Sequence, residues 1–188
     1  MTFPLVVSFF TADTPYESEV ETLRNSCKQF GLECYIESFP STGSWVRNCA
    51  MKAPFVLRCL EQFKRPILWL DADAEIKRFP QLFQSLKCDI AAYMPRHLLS
   101  GTVYFSTSPI ALEIARIWEQ LCISAPETWD QKHLEATLWK QEAVVSFFNL
   151  PQGYCKVFDK RWNRHEEKVE TIVHHQASRR FKSVVISN

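Results

Sequence analysis

Apolar and polar positions change period repeatedly along this chain, and each change predicts an element. Residues 5–10 form a short apolar run, as a strand buried on both faces does. Over 17–30, Val20, Leu23, Cys27 and Phe30 recur at helical spacing, and Gly31 supplies the stop. Residues 32–39 alternate enough for a second strand, and Ser44 is placed to cap a helix over 45–63. The run Ile67–Leu70 is a third buried strand. A short helix over 79–86, a strand over 88–94 and a small-residue strand from Ser100 to Ser106 follow. Apolar residues from Ile110 to Leu121 predict a well-buried helix over 109–122, and a further helix opens at Trp129–Asp130. A strand over 144–148 and a late strand ending in His174–His175 complete the pattern. Alternating strands and helices predict one α/β domain spanning 1–188, with a mainly parallel central sheet between helical layers.

Composition narrows the class. A chain of 188 residues, 46% hydrophobic and 23% charged, is of a size and kind to bury a sizeable core as a soluble protein. The formal net charge of +1 argues against a general nucleic-acid binder. The charge is uneven: residues 156–188 hold eight Lys or Arg against four acids, and the rest holds 14 against 17. A basic C-terminal stretch suits a phosphorylated ligand, or simply a solvated tail. Seven cysteines, an odd number without Cys-x-x-Cys spacing, disfavour a zinc site or disulfide framework and fit a reducing, cytoplasmic setting. The apolar start lacks a basic leader and is too short to span a bilayer, which leaves room for peripheral membrane contact only.

The chemistry concentrates where the third strand ends, in Leu68-Trp69-Leu70-Asp71-Ala72-Asp73-Ala74. Ligands of open α/β sheets bind outside the carboxyl ends of strands. Two carboxylates there are costly without compensation, and a hard divalent cation shared with a phosphate supplies it. This stretch resembles the DXD motif of GT-A-fold glycosyltransferases, the nucleotide-diphospho-sugar transferase superfamily. The resemblance runs from Leu5 to Lys182. It implies a GT-A-like α/β/α sandwich, a nucleotide-sugar donor such as a UDP-sugar, and Mn²⁺ or Mg²⁺ held by Asp71 and Asp73.

Other segments take roles from the same resemblance. Thr11, Asp13 and Tyr16 lie in the loop after the first strand, where the family contacts the nucleoside; as residue types, Asp13 also suits a turn and Tyr16 a packing position. Lys52 matches a lysine that reaches toward donor phosphates. Ser100, Gly101 and Thr102 match a small-residue strand lining the sugar pocket, with Ala72 between the two acids. Asp130 and Gln131 match an Asp-Gln pair that opens a helix at that pocket, although capping also explains Asp130. Asp130 is the candidate general base of an inverting transferase, or a support for the sugar in a retaining one. His174, ahead of His175, is the further metal ligand, and Arg179 and Lys182 are basic residues for the diphosphate. His133, one turn from Asp130, is expected in solvent. The chain is short for this family, so an acceptor (glycan, lipid or protein) implies help from flexible loops, another protein or a homo-oligomer. Two other classes share the motif: a haloacid-dehalogenase-like phosphatase with Asp71 as nucleophile, and a non-catalytic nucleotide-sugar-binding module. Glu75 stands where the phosphatase pattern usually has Thr or Val.

Overall fold

The computed structural model describes residues 3–157, 169–176 and 181–182. Within them, six strands form one sheet in the order β2-β1-β3-β6-β5-β7. The strands are β1 (Leu5–Thr11), β2 (Cys34–Phe39), β3 (Ile67–Leu70), β5 (Ile90–Tyr93), β6 (Leu99–Phe105) and β7 (Phe147–Asn149). β1 runs parallel to β2 and β3, and β5 runs parallel to β7. β6 runs against both its neighbours, β3 and β5. The sheet is therefore mainly parallel, as the alternation of elements predicts, with one reversed strand at its centre.

Period two divides the sheet's side chains between two cores. Leu5, Val7, Phe9, Ile67 and Trp69 face one side, while Val6, Leu68 and Leu70 face the other. The first side is covered by α3 (Lys52–Phe63), α4 (Pro109–Ser124) and α5 (Asp130–Lys140), which bury Val56, Trp118 and Leu134 there. The second is covered by α1 (Tyr16–Gln29) through Leu23 and Cys27, and by a small second sheet. That sheet pairs β4 (Ala74–Ile76), β9 (Val173–His175) and β8 (Lys156–Val157). β4 and β9 are antiparallel with Ala74 opposite His175, which carries a late histidine back to the end of β3. Gly153 secures the approach: a Cβ there would lie 2.1 Å from the Glu170 carbonyl oxygen. The Ile172 amide also donates to the Gly153 carbonyl at 2.8 Å.

Three differences from the sequence expectations have local causes. The helix over 45–63 divides at Met51 into α2 (Trp45–Ala50) and α3. Pro54 has no amide hydrogen to return to the Ala50 carbonyl, so the ladder breaks and restarts with proline in the first turn. The short helix over 79–86 contracts to a 3₁₀ turn, Gln81–Gln84, immediately after Pro80. The strand over 144–148 moves to Phe147–Asn149, because residues to Val145 still close turns on Gln141. Among the described residues, no helix is long and apolar enough to cross a membrane.

Candidate active site

Lys52 begins α3 and points at the end of β3, only 5% exposed. Its Nζ lies 2.8 Å from Asp71 Oδ1 and 3.2 Å from Asp130 Oδ2. It also donates to the Ser100 carbonyl at 3.2 Å and to Ser100 Oγ at 3.1 Å. Burial alone would discharge this ammonium, but Asp130 and Asp71 outweigh burial and raise its pKa. Asp71 Oδ1 also accepts from Trp69 Nε1 at 2.8 Å. Burial opposes the charge on Asp71, yet the charge and hydrogen bond of Lys52 hold its pKa below the usual carboxylate value. Asp130 is 5% exposed; Ser100 Oγ donates to its Oδ2 at 2.9 Å, and Trp118 Nε1 donates to its main-chain oxygen at 2.8 Å. Asp130 is the first residue of α5, and Trp129 holds the cap position before it.

On the other side of Asp71 lies a donor set suited to a cation. One ligand atom each from Asp71, Asp73 and His175 lies within 4.8 Å of the others. Asp73 is 4% exposed and His175 3%. Gly101 keeps their common space open: a Cβ on it would lie 3.1 Å from His175 Nδ1 and 3.4 Å from Asp71 Oδ2. His175 Nε2 is 2.7 Å from Thr102 Oγ1, and its buried Nδ1 has no hydrogen-bond partner among the described residues. With Nε2–H donating to Thr102, Nδ1 presents its lone pair to that space. Burial, opposed by Asp71, pushes the His175 pKa down to about 4, so the ring is neutral as a ligand must be. Oxygen donors with one imidazole suit Mg²⁺ or Mn²⁺.

A cleft opens beside this cluster. Thr11, Tyr16, Lys52, Asp71, Ala72 and Asp73 line it, as do Phe9, Phe10, Trp45, Asn48, Cys49 and Trp69. Trp45 Nε1 donates to Tyr16 Oη at 3.1 Å, joining α2 to the start of α1 across the cleft. Asn48 accepts from the Thr42 amide at 2.8 Å and donates to Ser41 Oγ at 3.1 Å, fixing the loop before α2. Burial raises the pKa of Cys49, which therefore lines the wall as a neutral thiol.

The expected site residues thus separate. Lys52, Asp71, Asp73, Ser100, Gly101, Thr102, Asp130 and His175 meet in one cluster, and Thr11, Tyr16 and Ala72 line its cleft. Lys52 differs from a phosphate-reaching lysine, since its ammonium is already engaged by two carboxylates and Ser100. His174 follows strand alternation onto the opposite face from His175, so the order of preference between them reverses. Asp13 is exposed with φ 58°, a turn conformation, and does not line the cleft. Gln131 is half-buried outside the lining, and Lys182 is exposed. Arg179 lies outside the described residues, as does the polar stretch 161–167. His133 turns away from the cluster and its Nε2 meets the Ala125 carbonyl at 3.1 Å, half-buried rather than in solvent. Phe9, Phe10, Trp45, Asn48, Cys49 and Trp69 are cleft walls beyond those the sequence pointed to.

Comparison with known proteins gives a fold. No protein-family profile and no curated protein matches the sequence. Among solved structures, a glycosyltransferase involved in glycosylation of the major capsid of PBCV-1 superposes with a TM-score of 0.71 at 18% identity, over 99% of each chain. The apo form of mouse xyloside xylosyltransferase 1 superposes with a TM-score of 0.53 at 10% identity, over 94% of this chain and 98% of the other. The chain has the GT-A-like α/β fold.

Proposed function

We propose that this chain is a metal-dependent glycosyltransferase that moves a sugar from a nucleotide-diphosphate sugar, with UDP as the favoured nucleotide, to an acceptor hydroxyl. The observation that carries this is the Asp71–Asp73–His175 donor set beside an aromatic-walled cleft. Two solved glycosyltransferases of like fold support the reaction class. We take the whole of 1–188 as the catalytic domain, and seven free cysteines favour a cytoplasmic location.

Each residue has a part in this reading. Tyr16, Trp45 and Phe10 offer ring surface for a base, and Thr11 offers a hydroxyl at the cleft floor. Asp71, Asp73 and His175 would hold Mn²⁺ or Mg²⁺, which supplies positive charge to a departing diphosphate. Lys52 holds Asp71 and Asp130 fixed relative to each other. Asp130 is the carboxylate that touches reacting sugar: it takes the acceptor proton if the reaction inverts, or supports the sugar if it retains. Against the phosphatase alternative stand the two solved structures of like fold, both glycosyltransferases. The test is a panel of nucleotide sugars with Mn²⁺, read by release of free nucleoside diphosphate and by thermal shift. One donor should stabilise the protein and be turned over with Mn²⁺ present. Hydrolysis of simple phosphomonoesters without any nucleotide-sugar response would replace the transferase reading with the phosphatase one.

A further inference from the structure

The strands around the donor set supply a neutral hydrogen-bond partner to Asp71 and another to His175. Trp69 lies two residues before Asp71, and the ladder continues to Asp71, whose amide donates to the Gly101 carbonyl at 2.9 Å. Alternation therefore puts both side chains on one face. The Trp69 indole Nε1 donates to Asp71 Oδ1 at 2.8 Å, and Lys52 Nζ meets the same oxygen at 2.8 Å. Oδ2 is left on the Gly101 side, 3.4 Å from where a Cβ on that glycine would lie. The indole is held in place: it is buried, with the Phe9 and Phe55 ring centroids 5.4 Å and 5.9 Å away. Thr102 stands opposite Leu70 on β6, fully buried, with its Oγ1 2.7 Å from His175 Nε2. If this hydroxyl donated to Nε2, the ring hydrogen would sit on Nδ1, a buried N–H with no acceptor among the described residues. The opposite assignment pairs the N–H and leaves only a lone pair unmatched, which costs less.

On the metal reading of this donor set, we infer that Trp69 and Thr102 are its positioning residues: they aim Asp71 Oδ2 and His175 Nδ1 at one point in advance, so that the chain takes up a divalent cation without nucleotide. Core packing alone requires neither polar atom. Phe and Val bury similar surface without a hydrogen bond to satisfy, and Val suits a buried strand at least as well as Thr. What the two residues add is direction. Without the indole N–H, the Asp71 carboxylate can rotate and share Oδ2 with Lys52, which withdraws that oxygen from the cation. Without the Thr102 hydroxyl, Nε2–H loses its acceptor inside the protein, and the ring hydrogen moves toward Nδ1, where it takes the place of the lone pair. A donor set fixed beforehand leaves less ordering to be done on binding. Partners of this kind, one atom removed from the ion, typically cost about 10–100-fold in metal affinity when lost.

The test uses full-length protein and Mn²⁺ alone. Calorimetric titration of Mn²⁺ without nucleotide should show uptake by wild type and by Thr102→Ser, which keeps the hydroxyl. Trp69→Phe and Thr102→Val, each checked for folding by circular dichroism, should bind roughly 10–100-fold more weakly. Long-range proton–nitrogen correlation spectra in EDTA read the histidine tautomer with no metal present, the His175 signals being those lost in His175→Asn. Wild type should carry the His175 hydrogen on Nε2, Trp69→Phe should keep it there, and Thr102→Val should move it toward Nδ1. A Thr102 that only fills space would leave the ring unchanged. A wild-type His175 with its hydrogen on Nδ1 would overturn the inference, as would wild-type Mn²⁺ affinity in folded Trp69→Phe and Thr102→Val. Wild type that takes up no Mn²⁺ without nucleotide would overturn it too; if that protein still binds UDP with Mn²⁺, the transferase reading stands and only the positioning falls.

Discussion

Replacing Lys52 with Met tests whether this side chain is the internal counter-ion of the site. The substitution keeps the length of the stem and removes the charge that lies 2.8 Å from Asp71 and 3.2 Å from Asp130. Removing one partner of a buried ion pair leaves an uncompensated buried charge and typically costs about 3–5 kcal/mol. For a domain of this size that lowers Tm by roughly 10 °C. The same change makes the cluster more negative and removes a cation close to the donor set. At an effective dielectric constant of about 20, a unit charge several ångströms from a divalent ion is worth several kcal/mol. Mn²⁺ should therefore bind Lys52→Met at least about tenfold more tightly than wild type. Differential scanning fluorimetry in EDTA and across a Mn²⁺ series reads both effects. The variant should melt well below wild type in EDTA and regain more on saturation with Mn²⁺. Adding Asp130→Asn should restore part of the lost stability, because it removes one of the two carboxylates left behind. A variant that melts with wild type in EDTA, and gains no more from Mn²⁺, would refute the counter-ion role.

Further outcomes follow from the same geometry. His175→Ala removes a direct ligand and should weaken Mn²⁺ binding by more than the roughly 10–100-fold that outer-shell losses cost, Gly101→Ala should weaken it within that range by crowding the donor atoms, and His174→Ala should leave it unchanged; a Mn²⁺ titration by calorimetry that found His174→Ala the damaging change would reverse the assignment. Asp130→Asn should lower turnover far more than donor affinity, since a group acting mainly in the transition state affects kcat; unchanged turnover would leave Asp130 a structural partner of Lys52. In the metal-free protein, His175 has a folded pKa of about 4, depressed from 6.5. The unfolded chain therefore takes up its proton first, so this contribution, about 3 kcal/mol, is complete above pH 6.5 and is lost as pH falls toward 4. Urea unfolding in EDTA at the two ends of that range should show a smaller pH dependence in His175→Asn than in wild type.

How far the sequence reveals the site depends on where each residue's partners come from. Asp71 and Asp73 are readable because their context is local: an apolar run that can only be a buried strand ends at them. Thr11 and Tyr16 follow the first strand in the same way. The direction of β6 is not readable, because nothing in a strand of seven residues says which way its neighbours in the sheet run. The histidine could not be chosen because alternate strand residues face opposite sides; the choice depends on pairing with β4, a three-residue strand too short to show a period. Lys52 could be placed on a helix, but its burial depends on Asp71 from β3, Ser100 from β6 and Asp130 from α5. The break before it was available in Pro54.

The central claim is that Asp71, Asp73 and His175 hold a cation that in turn holds a nucleoside diphosphate. Isothermal titration of UDP into the protein tests it most directly, with Mn²⁺ present and then with excess EDTA, for wild type and for Asp73→Ala checked for folding. The account predicts binding in Mn²⁺ that is lost on chelation and absent from the folded Asp73→Ala protein. Equal affinity for UDP in EDTA, or an Asp73→Ala protein that binds UDP with Mn²⁺ as wild type does, would contradict it.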